Sequence, residues 1–117
     1  MVKKDNVIVN KSKSFAIKNI YLYKYLIEKQ REYVMSKQIL KSGTSIGANV
    51  REAVYAQSKA DFYAKLNISL KEAGETEYWL ELLYETGYIN KETFESVYSD
   101  CQEIIRILTA IIKTRTK

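Results

Sequence analysis

Apolar residues recur at steps of three and four along most of this chain. That spacing predicts four helices, at about 14–30, 33–56, 59–86 and 91–114. In the second, Met35, Ile39, Ser42, Ile46, Val50 and Ala53 fall within roughly 80° of arc, a narrow inward stripe. Phe62, Leu66, Leu70, Ala73, Leu80 and Tyr84 form the corresponding stripe of the third helix. Phe94, Val97, Cys101, Ile104, Ile105, Leu108 and Ile111 continue the pattern in the fourth. In the first, Ala16, Ile20, Tyr23 and Ile27 make an inward face that Leu22 and Leu26 widen.

Local chemistry marks the ends of these segments. Ser12 and Ser14 are candidate N-caps for the first helix, because a hydroxyl can accept from a free first-turn amide. The polar stretch Lys29 to Glu32 is the obvious first connection. Ser58-Lys-Ala-Asp61 resembles a capping box with Asp in place of Glu. Gly87, followed by Tyr88 and Ile89, is placed as a Schellman stop would need, and Asn90 caps the fourth helix. The first eleven residues, with Val7, Ile8 and Val9, read as a short arm that is extended or disordered. Long amphipathic helices joined by short connections predict an all-α, up-down-up-down antiparallel four-helix bundle, one domain over residues 1–117.

Two helices carry apolar residues beyond what their inner stripes use. Ile68, Trp79 and Leu82 lie roughly opposite the inward stripe of the third helix, with Glu72 and Glu75 between them. A contiguous patch of that kind usually marks an interface, here one between copies of the chain. The other reading is that long neighbouring side chains cover it within one subunit. On the first helix, Ile17, Tyr21 and Tyr25 alternate with Lys18, Lys24 and Lys29. Tyrosines among lysines can stack on exposed bases while the ammonium groups meet phosphates. The same residues equally suit a contact with protein, so Ile68, Trp79, Leu82, Tyr21 and Tyr25 are the candidate oligomer interface.

Composition narrows the chemistry. Proline is absent and glycines number only four, too little punctuation for a β-rich fold. With no histidine, the commonest general base near neutral pH and the commonest metal ligand are missing. Cys101 has no second thiol to pair with and sits in an apolar periodic segment, as a packed core thiol would. No metal site, disulfide framework or cofactor is expected. Neither a signal-peptide run nor an apolar stretch of membrane-spanning length is present, so a cytoplasmic protein without a membrane partner is predicted.

Charge is strongly segregated. Residues 1–71 carry 14 basic against 5 acidic side chains, residues 72–103 carry 1 against 9, and residues 104–117 carry 4 against none. Such separation suits electrostatic self-association or a polyanionic partner, and it also follows if acidic and basic helices simply lie side by side.

The middle of the second helix is unusual. Ser42-Gly-Thr-Ser-Ile-Gly-Ala-Asn49 puts two glycines where each costs about 1 kcal/mol relative to alanine. Gly43 and Gly47, four apart, leave a groove for the close approach of another helix. The Gly-x-x-x-x-Gly-Lys spacing of a phosphate-binding loop is absent. Glu77 projects into the inner arc of the third helix, where a carboxylate needs a partner or a raised pKa. Asn49 is the candidate partner, and the carboxylate reads as structural rather than catalytic.

Three strings bear a resemblance that covers about Ser14 to Leu108. They are Ser36-Lys-Gln-Ile-Leu-Lys-Ser-Gly-Thr-Ser-Ile-Gly-Ala-Asn-Val-Arg-Glu-Ala53, Ala56-Gln-Ser-Lys-Ala-Asp-Phe62 and Lys71-Glu-Ala-Gly-Glu-Thr-Glu-Tyr-Trp-Leu-Glu-Leu-Leu83. Together they are similar to the bacterial four helix bundle protein family, whose founding members are encoded by intervening sequences in 23S ribosomal RNA genes. The resemblance implies four antiparallel helices and a ring-shaped homopentamer. It also implies kinship with the accessory variability protein of diversity-generating retroelements, which binds a reverse transcriptase and nucleic acid through a basic surface. No biochemical activity comes with the ribosomal-insert branch.

The expectation is therefore a non-catalytic, homo-oligomeric adaptor, pentameric by resemblance, that associates with RNA or other nucleic acid. Lys18, Lys24, Lys37, Lys41 and Arg51 of the first two helices are the candidate nucleic-acid contacts. The alternative is a scaffold that docks onto a partner protein, such as a reverse transcriptase, without touching RNA.

Overall fold

The computed structural model describes residues 6–116. Four helices, α1 (Val7–Glu28), α2 (Met35–Val54), α3 (Lys59–Glu85) and α4 (Lys91–Lys113), are followed by a short 3-10 turn, Thr114–Thr116. Each helix packs on its neighbour in sequence, and α1 closes the square against α4, so α1 and α3 stand at opposite corners. Every pairing runs antiparallel. Asn19 and Ser12 of α1 meet Gly43 and Gly47 of α2, and Ser69 and Thr76 of α3 bond to Ile46 and Ser42 of α2. Tyr63 and Tyr98 reach Thr114 and Glu81 across the α3–α4 seam. The bundle is 45 Å long and 21 Å across.

Three predicted caps form as local chemistry requires. Ser58 accepts from the Asp61 amide at 3.0 Å, and Asn90 accepts from the Thr93 amide at 2.8 Å. Gly87 takes the left-handed conformation at φ 85°. The Gly87 and Tyr88 amides then bond back to the Tyr84 and Leu83 carbonyls at 3.1 and 2.9 Å, completing the Schellman pattern.

The start of the chain differs from the expectation of a loose arm. Val7, Ile8 and Val9 are helical, and Asn6 rather than Ser12 or Ser14 supplies the cap, accepting from the Ile8 amide at 3.0 Å. The reason is that Ile8, Ser12, Phe15, Asn19, Leu22 and Leu26 form one continuous buried stripe. Ile20, expected to face inward, is instead 40% exposed, while Ala16, Tyr23 and Ile27 are half-buried on the flank. Residues 1–5 of the expected arm lie outside the described residues. The first connection is also longer than Lys29 to Glu32. Arg31 adopts φ 53°, and the buried Glu32 carboxylate accepts from the Val34, Met35 and Ser36 amides at 3.2, 3.1 and 2.7 Å, capping α2.

The core joins large apolar side chains from all four helices with a polar seam where α1 and α3 pack on α2. Phe15, Ile46, Leu66, Leu80, Ile104 and Leu108 are fully enclosed, as are Ser12, Asn19, Ser42, Ser69 and Thr76. The small residues among them let helices approach closely, and two of the hydroxyls bond across from α3 to α2. Ser69 donates to the Ile46 carbonyl at 2.8 Å and Thr76 donates to Ser42 Oγ at 2.9 Å. Gly74 is different, because a Cβ there would meet nothing within 4 Å. Gly74→Ala should therefore raise stability by about 1 kcal/mol through helix propensity alone, read as a higher urea midpoint.

Candidate nucleic-acid interface

The rotation of α1 sorts its lysines into two rows. Lys11 and Lys18, seven residues apart, turn toward α4 and are neutralised there. Lys11 Nζ lies 3.0 Å from Glu103 Oε1, and Lys18 Nζ lies 2.6 Å from both Asp100 Oδ2 and Ser96 Oγ. The charge segregation of the sequence is thus partly spent within the subunit, basic α1 against acidic α4. Lys18, a candidate nucleic-acid contact, is held in this seam.

The other row faces away from α4. Lys13 borders α2 beside Arg51, and Lys24 is exposed with its ammonium 5.8 Å from the Tyr21 ring centroid. On α2, Lys37, Lys41 and Arg51 are all exposed. Among the described residues none of Lys13, Lys24, Lys37, Lys41 or Arg51 forms an ion pair. The acids of these two helices do not compensate them: α1 carries only Glu28, at its end, and Glu52 of α2 pairs with Lys65 of α3 at 3.2 Å. Lys13 was not among the candidate residues read from the sequence, yet it is exposed in this row. Its eleven-residue spacing from Lys24, close to three whole turns, is the signal that could have found it.

Apolar side chains stand outside the bundle on two corners. On α1, Ile17 is 47%, Tyr21 67% and Tyr25 41% exposed. On α3 the three expected residues separate. Ile68 is 42% exposed, whereas Trp79 and Leu82 are half-buried. Trp79 packs against the subunit's own core, donates Nε1 to Glu75 Oε2 at 3.3 Å, and meets Tyr78 edge-on at 5.3 Å.

Glu77 does not pair with Asn49, whose side chain donates to the Ser45 carbonyl of its own helix. The α3 register turns Glu77 toward α4, where Gln102 is its hydrogen-bond partner. Partial burial and then the neighbouring Glu81 raise its pKa, and the Gln102 bond opposes them. Glu81 also accepts the Tyr98 hydroxyl at 2.7 Å, which is the first cause of a raised Tyr98 pKa. Cys101 is fully buried, donates to the Ala73 carbonyl at 3.3 Å, and has its thiol pKa pushed up to about 12 by burial. Among the described residues, no group of three His, Cys, Asp or Glu is arranged to hold a metal, and no helix is long and apolar enough to cross a membrane.

Comparison with known proteins gives a consistent relationship. A family model described as 23S rRNA-intervening sequence protein matches residues 4–110. The chain is similar to a crystal structure of a protein of unknown function from the S23 ribosomal protein family of Bacteroides thetaiotaomicron VPI-5482. The two share 61% sequence identity and superpose with a TM-score of 0.91, over 92% of this chain and 99% of that one. No curated protein matches.

Proposed function

This chain belongs to the 23S rRNA-intervening sequence protein family, and from that premise we propose that it is a non-catalytic, homo-oligomeric adaptor that associates with RNA. The observation that carries the reading is the outer surface of α1 and α2. Among the described residues Lys24, Lys37, Lys41 and Arg51 are exposed there outside any ion pair, with Lys41 also within electrostatic reach of Glu72 on α3, whereas Lys18 is committed to Asp100. An unpaired cationic surface binds phosphates by releasing their counterions, so affinity falls steeply with salt.

Self-association draws on the exposed apolar corners. Ile17 and Tyr21 on α1 sit among basic residues, and Ile68 on α3 lies four residues from Glu72. Because α1 and α3 are opposite corners, contact between unlike faces is heterologous and builds a ring when the rotation closes. A pentamer is the form that the family resemblance favours.

Two measurements test this. Filter binding with structured ribosomal RNA fragments should show retention at low salt that is lost as salt rises, and no retention at low salt would remove the RNA association. Light scattering should give a mass several times 13.6 kDa. Ile68→Glu should shift that mass toward the single subunit while leaving helix content intact. The same apolar corners favour a second reading, a scaffold for a partner enzyme such as a reverse transcriptase. In that case RNA retention would be weak and insensitive to salt.

A further inference from the structure

We infer that the RNA backbone lies in the groove between α1 and α2, with Lys13 and Arg51 as the cationic rims at one end. The inference presupposes the RNA association proposed above and assigns its site. A cleft of about 270 Å³ opens between these helices, lined by Lys13, Ala16, Thr44, Gly47, Ala48 and Arg51 among others. Its floor is shallow because the helices nearly touch beneath it: a Cβ on Gly47 would lie 3.1 Å from the Ser12 carbonyl oxygen. Small side chains in the floor and long cations on the rims shape a channel for a charged strand.

Charge separates this groove from two other clefts of the molecule. The one beside Lys11 and Lys18 contains Asp100 and Glu103, which neutralise both lysines. The larger one at the α2–α3 turn contains Arg51 and Lys65 but also Glu52 and Asp61. Among the described residues, the lining of the α1–α2 groove has two cations outside any ion pair and no carboxylate.

The register extends the track beyond a single anion. Lys24 follows Lys13 by eleven residues on α1, and Lys37 precedes Arg51 by fourteen on α2. Both spacings are near whole turns, so the second pair sits on the same face roughly 16–21 Å farther along. The antiparallel pairing of Asn19 with Gly43 and of Ser12 with Gly47 places Lys24 level with Lys37, as it places Lys13 level with Arg51. Two cation pairs at that separation match a run of phosphates rather than one free phosphate. Among the described residues lining the Lys13–Arg51 end there is no aromatic ring, so recognition at that end is of the sugar-phosphate backbone and not base sequence.

The test uses the full chain in the filter-binding assay at about 0.15 M salt, where charges beyond roughly 8 Å are screened. Lys13→Glu with Arg51→Glu should weaken RNA binding at least about tenfold and reduce the slope of log affinity against log salt by about 1.4–1.8. Lys59→Glu with Arg106→Glu makes the same charge change on exposed residues elsewhere and should cost less than about threefold. Lys13→Gln with Arg51→Gln should lie between wild type and the reversal, and circular dichroism of each variant should retain the helix signal. Inorganic phosphate at matched ionic strength should not compete.

Equal losses for the groove and control pairs would overturn the site and leave RNA association standing. So would competition by inorganic phosphate, and so would a drop in oligomer mass caused by the groove variant alone, which would make the groove a contact between copies. Absence of binding by the wild-type chain would overturn both.

Discussion

Gly43→Ala is expected to destabilise the bundle by about 1–3 kcal/mol, although alanine is the better helix former by about 1 kcal/mol. The new methyl would stand 2.5 Å from Asn19 Cγ, 2.7 Å from its Oδ1 and 2.9 Å from its Nδ2. Asn19 cannot swing aside. It is fully buried, and its amide nitrogen donates to the Phe15 carbonyl at 2.8 Å. The helices must part, or α1 must give up packing around Phe15 and Leu22. Asn19→Ala in the same chain should restore wild-type stability or better, because it clears the space and removes an amide oxygen that has no donor among the described residues. The check is a double-mutant cycle by urea unfolding, in which the two substitutions should couple strongly. A Gly43→Ala protein as stable as wild type would show that α1 does not approach α2 as described. Gly47→Ala is the milder case, since its methyl would meet the Ser12 carbonyl oxygen at 3.1 Å and need a shift of only tenths of an ångström.

Raising the pH from 9 to 11 should lower unfolding stability by about 2–3 kcal/mol through Cys101 alone. Burial, followed by the nearby charges of Glu77 and Asp100, lifts this thiol from its ordinary 9.0 to about 12. Below pH 9 both folded and unfolded chains keep the proton, and the contribution is complete. Above it the unfolded chain ionises while the folded thiol stays neutral, so stability drains until the pH reaches about 12. Tyr98, raised first by its hydrogen bond to Glu81, acts in the same direction at higher pH. Urea midpoints measured in reductant at each pH should fall more gently for Cys101→Ala than for wild type. Parallel curves would mean that the thiol titrates normally.

The two predictions depend on different kinds of information. That Gly43 and Gly47 serve close packing was legible, because two helix-weakening residues four apart need compensation. Which residues they receive was not. The sequence offered Ala16, Ile20, Tyr23 and Ile27 as the inner face of α1, widened by Leu22 and Leu26; of these only the two leucines are in the buried stripe, which Ser12, Phe15 and Asn19 share. Apolar side chains lie on both sides of this helix, so periodicity alone had two phases to choose from. The true one contains a serine and an asparagine that fit only because glycine stands opposite.

The same rotation decides the candidate interface. Lys13 and Lys18 look alike in the sequence, five residues apart in a basic stretch. Their difference lies in Asp100, more than eighty residues away, which binds one and leaves the other facing α2. Glu77 repeats the lesson, since a small turn of α3 carries it from Asn49 of α2 to Gln102 of α4.

The sequence by itself determined the four helices, the stripe of α2 from Ile39 to Ala53, and the stops and starts at Ser58, Gly87 and Asn90. Each depends on hydrogen bonds or repeats spanning a few residues, which are written consecutively along the chain. Only the tertiary structure decided how α1 and α3 are rotated, which lysines are neutralised, and which apolar residues remain outside. Those outcomes depend on the volume and charge that a neighbouring helix presents, and side chains remote in sequence supply both.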